Sequence, residues 1–244
     1  MKIINNNITF GTNRRTYKNS DGITIRTTTN PFREDVNWKQ LAEYEKILFQ
    51  DKKKVNVVQF AASDGSEAYT KIITLLESQA GDKFFPIEAY DIDPEIVKAA
   101  NSGKLNLYKV DRLSLQDKVP NPKKYFSKSK DSLEIQNNVT IPTGNTITVK
   151  AKNILRKRVN FAEGDMFKII KNLKDESNTI LLCRNILGYF DDKKISEFVK
   201  NAANKLKQGS LFIIGSYDTK HSSINSILIK NNFLEVTKNV FRKL

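Results

Sequence analysis

One cysteine, Cys183, and one histidine, His221, stand in 244 residues. A lone cysteine rules out an intrachain disulfide, and a reducing, cytoplasmic setting is the expectation. The same scarcity leaves no Cys/His zinc site, so no metal is expected. It also leaves no Ser-His-Asp or Cys-His nucleophile system. No apolar run approaches the ~18 residues of a membrane span. The first ten residues, MKIINNNITF, contain no apolar core of a secretory signal, and none is expected. No internal repeat or low-complexity tract is visible.

Charge of one sign is in excess. Lys and Arg number 41 against 27 Asp and Glu, a formal net charge of +14. The basic residues are spread along the chain in short clusters such as Lys52-Lys53-Lys54, Lys123-Lys124 and Arg156-Lys157-Arg158. That distribution favours a solvated basic surface over a nucleic-acid footprint. The length suits one large domain, or one domain carrying an insertion.

Residues 3–28 read as strands around the turn sequence Asn19-Ser20-Asp21-Gly22, a hairpin signal. Trp38, Leu41, Tyr44, Ile47 and Leu48 recur at helical spacing and predict a helix over roughly 34–50. From Val55 strand and helix alternate: VNVVQFA, a helix over 66–79, PIEAYDI, a helix from Pro94 to the stop at Gly103, VNFAEG, MFKIIKNL, TILLCRN, a helix from Asp191, SLFIIGS and a helix near 222–231. Two strand-like runs, FLEVT and VFRKL, close the chain. Such alternation predicts an α/β fold, a mostly parallel sheet with helices on both faces, and the short link between the last two runs makes one of them antiparallel. Residues 103–158 break the rhythm with prolines and weak alternation, and predict an inserted antiparallel β-subdomain. The expected organisation is a β-rich arm over 1–30 and a main domain over 31–244.

In open α/β sheets ligands bind beyond the carboxyl ends of the strands. The loop after the first parallel strand, FAASDGSEAY, is neither GxGxxG nor a Walker A loop, which disfavours a diphosphate. Its small residues let backbone approach a ligand, and Glu67 suits a cationic group, although a helix's first turn favours a Glu in any case. The second strand ends in Tyr90-Asp91-Ile92-Asp93. Asp93 reads as a helix cap, whereas Asp91 lies too far from the helix start and suits ribose hydroxyls. Asp165, after the third strand, suits an adenine amino group or an N-cap equally. Three carboxylates at three successive strand ends, with no phosphate loop, describe an adenosine with a positively charged tail. S-adenosylmethionine fits.

The fourth strand ends in Leu182-Cys183-Arg184-Asn185-Ile186-Leu187-Gly188-Tyr189-Phe190. Here the sequence resembles the CheR-type methyltransferases, which esterify glutamate side chains of chemotaxis receptors. Their strings of type FCRNV-x-IYF are similar to residues 182–190, with Gly188 as a departure. Their loop A-A-S-T-G-E-E-P-Y is matched by residues 61–69, with Ser66 in place of the first Glu. Their A-T-D-I-D is matched by residues 89–93, and their T-x-F-F-R by residues 29–33. The four strings keep order and spacing from about residue 26 to 218.

The resemblance implies a class I methyltransferase fold and an S-adenosylmethionine site. It places Glu67 on the methionine amino group, Asp91 on the ribose, and Asp165 with Met166 on the adenine. Ala61, Ser63 and Gly65 form the cofactor loop, and Thr27, Thr29, Arg184 and Asn185 are further cofactor contacts. Arg33 and Tyr189 line the catalytic pocket, Arg33 also touching cofactor. The implied substrate is a glutamate of a protein such as a chemoreceptor or other signalling protein, with S-adenosylhomocysteine as by-product. Two departures bear on the substrate: a β-rich arm stands where the family has an N-terminal helical domain, and Ser66 breaks the Glu pair. Two rival readings keep the cofactor. Asn30-Pro31-Phe32 partly resembles the N-P-P-F/Y element that grips a flipped base in nucleic-acid methyltransferases, but one proline is missing and the element precedes the cofactor loop. A non-catalytic cofactor sensor is the other, opposed by intact Arg33 and Tyr189. Cys183 is expected to be a buried small apolar residue.

Overall fold

A computed structural model describes residues 16–26, 29, 31–108, 117–129, 146–174 and 178–244. Strands β1 (Thr16–Lys18) and β2 (Thr24–Arg26) form the expected hairpin, Tyr17 facing Ile25. The Asn19 side-chain oxygen accepts the N–H groups of Asp21 (3.1 Å) and Ile23 (2.8 Å), which is what makes this sequence turn. Of the rest of the predicted arm Thr29 is described, and Thr27 lies outside the described residues.

Helix α1 (Trp38–Leu48) begins four residues later than its periodicity suggests. Asn37 caps it by accepting the Gln40 N–H, and residues 31–36 form turns, with the Trp38 indole donating back to the Arg33 carbonyl at 3.0 Å. Strand β3 (Asn56–Phe60) leads into α2 (Ser66–Glu77), and β4 (Ile87–Asp91) into α3 (Pro94–Ser102). The ends of α3 follow from its sequence. Asp93 caps the Glu95 N–H, Pro94 occupies the first turn, and Gly103 takes the left-handed conformation that stops it.

The insertion carries β5 (Lys104–Tyr108), β6 (Phe126–Lys128) and β7 (Thr146–Ala151), an antiparallel sheet in the order β5-β7-β6. Its inward residues Leu105, Leu107, Phe126, Val149 and Ala151 join the main apolar core, so the subdomain is packed onto the domain rather than hung from it. Single helical turns at Pro122–Tyr125 and Asn153–Arg156 flank it. The runs LEIQ and VTIP lie outside the described residues.

The chain continues through β8 (Val159–Glu163), α4 (Met166–Lys171), β9 (Thr179–Cys183), α5 (Asp192–Lys205), β10 (Leu211–Ile213), α6 (Ile224–Lys230), β11 (Phe233–Thr237) and β12 (Val240–Lys243). The seven-stranded sheet runs β11-β12-β10-β9-β3-β4-β8. Neighbours from β10 to β8 are parallel, and β12 is antiparallel to both β10 and β11. Every residue of β9 is buried, as its unbroken apolar run requires of a strand covered on both faces. Ile195, Phe198, Val199 and Ala202 give α5 a buried stripe, and the Phe198 ring packs edge-on against Phe60, Phe167 and Phe212. No helix among the described residues is long and apolar enough to cross a membrane. Strand order reverses between β3 and β9, and that reversal opens a crevice at their carboxyl ends.

Candidate active site

The loop from β3 to α2 is built on left-handed backbone. Ala61, Ser63 and Gly65 have φ of 54°, 51° and 86°. Each such non-glycine residue costs on the order of 1–3 kcal/mol, so the surroundings must hold it. They do: Ala62 N–H donates to the Tyr90 carbonyl at 3.0 Å, and Ser63 N–H to the Asp91 carboxylate at 2.8 Å. Gly65 is required twice over, because a Cβ there would also lie 2.6 Å from Cζ of Phe161. Asp91 accepts a second N–H, from Asp93, at 3.1 Å. Burial pushes the carboxyls of Asp91 and Asp64 up to about 6 each, against the backbone and hydroxyl donors that favour their charged forms.

The end of β9 supplies the second wall. The buried Arg184 guanidinium bridges Glu67 of α2 and Asp35, and lies 4.8 Å above the Trp38 ring. Asp35 also accepts the Ser216 N–H at 2.9 Å. Burial pushes Glu67 up while Arg184 and Arg33 pull it down. Burial likewise lowers Arg33 from the ordinary arginine value, with Glu67 opposing. Asp218, fully buried, accepts the N–H groups of Asn185 (2.6 Å), Gly188 (3.2 Å) and Gly215 (2.8 Å), tying together the loops that follow β9 and β10. Asn185 is held left-handed at φ 60°, and its side-chain oxygen accepts the Tyr217 N–H at 2.9 Å.

These elements enclose a cleft of about 900 Å³, counting space open to solvent. Of the residues singled out in the sequence, Thr29, Arg33, Ala61, Ser63, Glu67, Asp91, Asp165, Met166, Arg184 and Asn185 line it. Gly65 and Tyr189 are not on its wall. Gly65 shapes the loop from behind. The Tyr189 ring lies 5.1 Å from that of Tyr217, and its hydroxyl oxygen accepts the backbone N–H of Arg26. Asp165 caps α4 by accepting the Phe167 N–H at 2.9 Å, which leaves acceptor capacity on its carboxylate. Cys183 is buried, and burial pushes its thiol well up.

Sequence reasoning missed one wall. The β1–β2 hairpin contributes Tyr17, Asn19, Asp21, Ile25 and Arg26 to the cleft. Ile25 anchors it in the second apolar core, and Asp21 pairs with Lys194 of α5. The turn signal marked the hairpin but not its destination. Asp35 and Asp218 were missed as well, since neither lies in a recognisable string.

The polar inventory fits an adenosine with a charged amino-acid tail. Asp91 keeps lone pairs for hydroxyl donors, and Ile92, Met166 and Phe167 supply an apolar wall beside Asp165. Two buried polar atoms of residues lining the cleft, Asn185 Nδ2 and Arg184 Nε, have no hydrogen-bond partner among the described residues. Such orphaned groups are costly unless a ligand or water meets them.

The family described as CheR methyltransferase, SAM binding domain, matches residues 27–231. A chemotaxis protein methyltransferase of Listeria monocytogenes is 24% identical over 208 residues, covering 84% of this chain and 70% of that protein. Chemotaxis protein methyltransferase 2 of Pseudomonas aeruginosa is 27% identical over 185 residues, covering 75% and 60%. Among solved structures, magnesium protoporphyrin IX methyltransferase from Synechocystis PCC 6803 with bound SAM overlaps 84% of this chain and 76% of its own, at 16% identity and a TM-score of 0.39.

Proposed function

We propose, on the premise that the chain belongs to the CheR methyltransferase family through its SAM-binding domain, that it esterifies a carboxylate on a protein, a glutamate side chain. S-adenosylmethionine is the methyl donor of this family. A chemoreceptor or another signalling protein is the partner this reading calls for. The observation that carries it is the state of the acids on the cleft wall. Glu67 is paired with Arg184, Asp21 with Lys194, and Asp91 and Asp165 are engaged by backbone N–H groups. No His, Cys or Lys lies on that wall among the described residues. A wall whose acids are already engaged, with no His or Lys beside them, suits a nucleophile that has no proton to lose. A glutamate carboxylate, with a reference pKa of ~4.3, is such a nucleophile at neutral pH.

When bound, S-adenosylmethionine supplies an electrophilic sulfonium methyl. Glu67 would receive its ammonium group, Asp91 the ribose hydroxyls, and Asp165 with the Met166 backbone the adenine edge. The Asn185 amide offers a donor to an anionic oxygen. What remains for this chain is to hold the carboxylate oxygen in line with the methyl carbon and to exclude water from it. Arg33, and Tyr189 through its hold on the hairpin, serve that alignment.

The test is incubation with methyl-labelled cofactor and lysate of the source cells, followed by mild alkali. Label released as volatile methanol is the expected result. Label retained on protein, or recovered with nucleic acid, would sink the carboxylate reading.

Asp91 makes this binding pH-dependent. Its folded value of about 6 lies above its free value. The fold therefore gains from its protonated form at low pH, and that contribution is lost as pH rises through 6. Ligand binding runs the other way, because two ribose hydroxyls need acceptors. Affinity for S-adenosylhomocysteine, followed by calorimetry, should fall as pH drops from 7 to 5. Asp91→Ala should weaken binding by roughly 1.5–3 kcal/mol, the worth of a hydrogen bond to a charged group. A flat pH profile together with an unaffected variant would contradict this role.

A further inference from the structure

Behind the cleft lies an ion pair that the site as described does not use. Glu45 of α1 and Lys71 of α2 are joined, with side chains 0% and 1% exposed. Lys71 stands one helical turn after Glu67, on the same face of α2, in the favourable Glu-to-Lys order. Lys71 and Glu67 attract each other across that turn, so charges of alternating sign run from Glu45 to Lys71, Glu67, Arg184 and Asp35. The series starts on α1 and returns to the chain just before it.

Stability does not account for the inner pair. Burying two ions costs several kcal/mol each in desolvation, and apolar residues of similar volume often serve as well or better. One Glu45 oxygen, Oε1, is also buried without a partner among the described residues, a further cost. Lys71 does not line the cleft, so any influence on ligand passes through its neighbour Glu67.

We propose that Lys71, kept charged by Glu45, is a positioning residue for the cofactor: it holds Glu67 ionised and in place from within the core. The inference rests on the reading that Glu67 receives the ligand's ammonium group. Burial works against an ionised Glu67; Arg184 must divide its charge between Glu67 and Asp35, and burial also works against the charge of Arg33, the other cation that favours it. A further cation one turn along α2 supports Glu67 without occupying the cleft.

Removing one partner would strand a buried charge, so the test uses the double variant Glu45→Leu/Lys71→Met, which keeps volume and removes both charges. Two probes are titrated by calorimetry: S-adenosylhomocysteine, which carries the amino-acid tail, and 5′-methylthioadenosine, which lacks it. The double variant should melt at or above the native temperature. It should bind S-adenosylhomocysteine at least tenfold more weakly and 5′-methylthioadenosine within twofold of native. Native affinity for the first probe, or equal losses for both, would overturn the proposal. Glu67→Gln separates it from its premise. If that variant discriminates between the probes and the double variant does not, only the role of Lys71 fails; if Glu67→Gln does not discriminate, the assignment of Glu67 fails. Should the double variant not fold, Glu45→Gln, which keeps a hydrogen bond to Lys71 but no charge, should show the same selective loss. Failure of both to fold would assign the pair to stability alone and overturn the positioning role.

Discussion

Arg184→Met is expected to cost the fold about 3–5 kcal/mol, the range for removing one member of a buried ion pair. The guanidinium is inaccessible to solvent and serves two acids, Glu67 and Asp35, while stacking on Trp38. Methionine fills much of the volume but leaves both carboxylates without the cation that bridges them. Three segments lose their common partner: the first turn of α2, the turns that carry Arg33, and the end of β9. Cofactor binding should be lost together with stability. Arg184→Lys is the informative companion. An ammonium is a compact point charge and cannot bridge two acids in the planar fork of an arginine, so this variant should recover part of the stability and little of the binding. Urea denaturation of both variants is the measurement. Two variants within 1 kcal/mol of native would show that Arg184 is not the hub described here.

Asp218→Ala is the second large effect. The carboxylate is buried and accepts three backbone N–H groups from two loops. Alanine leaves those donors buried and unmet. Hydrogen bonds to charged groups contribute about 1.5–3 kcal/mol each, and the three are not independent, so a net loss of roughly 3 kcal/mol is expected. The loss should reach the ligand as well, because Asp218 fixes the Asn185 N–H at 2.6 Å and so places the Asn185 amide at the cleft. S-adenosylhomocysteine should bind about tenfold more weakly, ~1.4 kcal/mol. Asp218→Asn keeps one acceptor oxygen and should fall between alanine and native on both scales. An alanine variant with native melting and native affinity would remove Asp218 from the account.

How much of this was legible in the sequence depends on whether a residue's role is local. The parallel strands were readable because buried β-branched runs such as TILLC have few alternatives. The caps of α3 were readable because Asp93, Pro94 and Gly103 act on their own backbone. The distinction between Asp91 and Asp93 was also local, a matter of distance from the helix start: Asp93 caps α3, and Asp91 instead accepts the Ser63 N–H of the β3–α2 loop. Asp165 shows the limit of such reasoning: its cap is visible, and the cap alone does not exclude a ligand role. Roles that depend on residues far apart in the chain were not readable. Asp218 reaches back 33 residues to Asn185, and Arg184 reaches 149 residues to Asp35. Glu45 and Lys71 occupy helix positions where periodicity predicts nothing unusual, and only packing α1 against α2 turns them into a buried pair. The hairpin was legible as a hairpin. Its use as a wall of the cleft follows from tertiary contacts, Ile25 in the core and the Tyr189 hydroxyl on the Arg26 N–H, that no turn signal encodes.

The central claim is that the crevice where the sheet reverses holds the adenosyl cofactor, with the acids at successive strand ends dividing its parts among them. A crystal structure of the protein with S-adenosylhomocysteine bound tests it most directly. The account predicts the ribose hydroxyls within hydrogen-bond distance of Asp91, the adenine edge at Asp165 and Met166, the ammonium at Glu67, and the sulfur facing the space between Arg33 and the hairpin. A ligand bound outside this cleft, or seated in it with its ribose away from Asp91 and its ammonium away from Glu67, would contradict it.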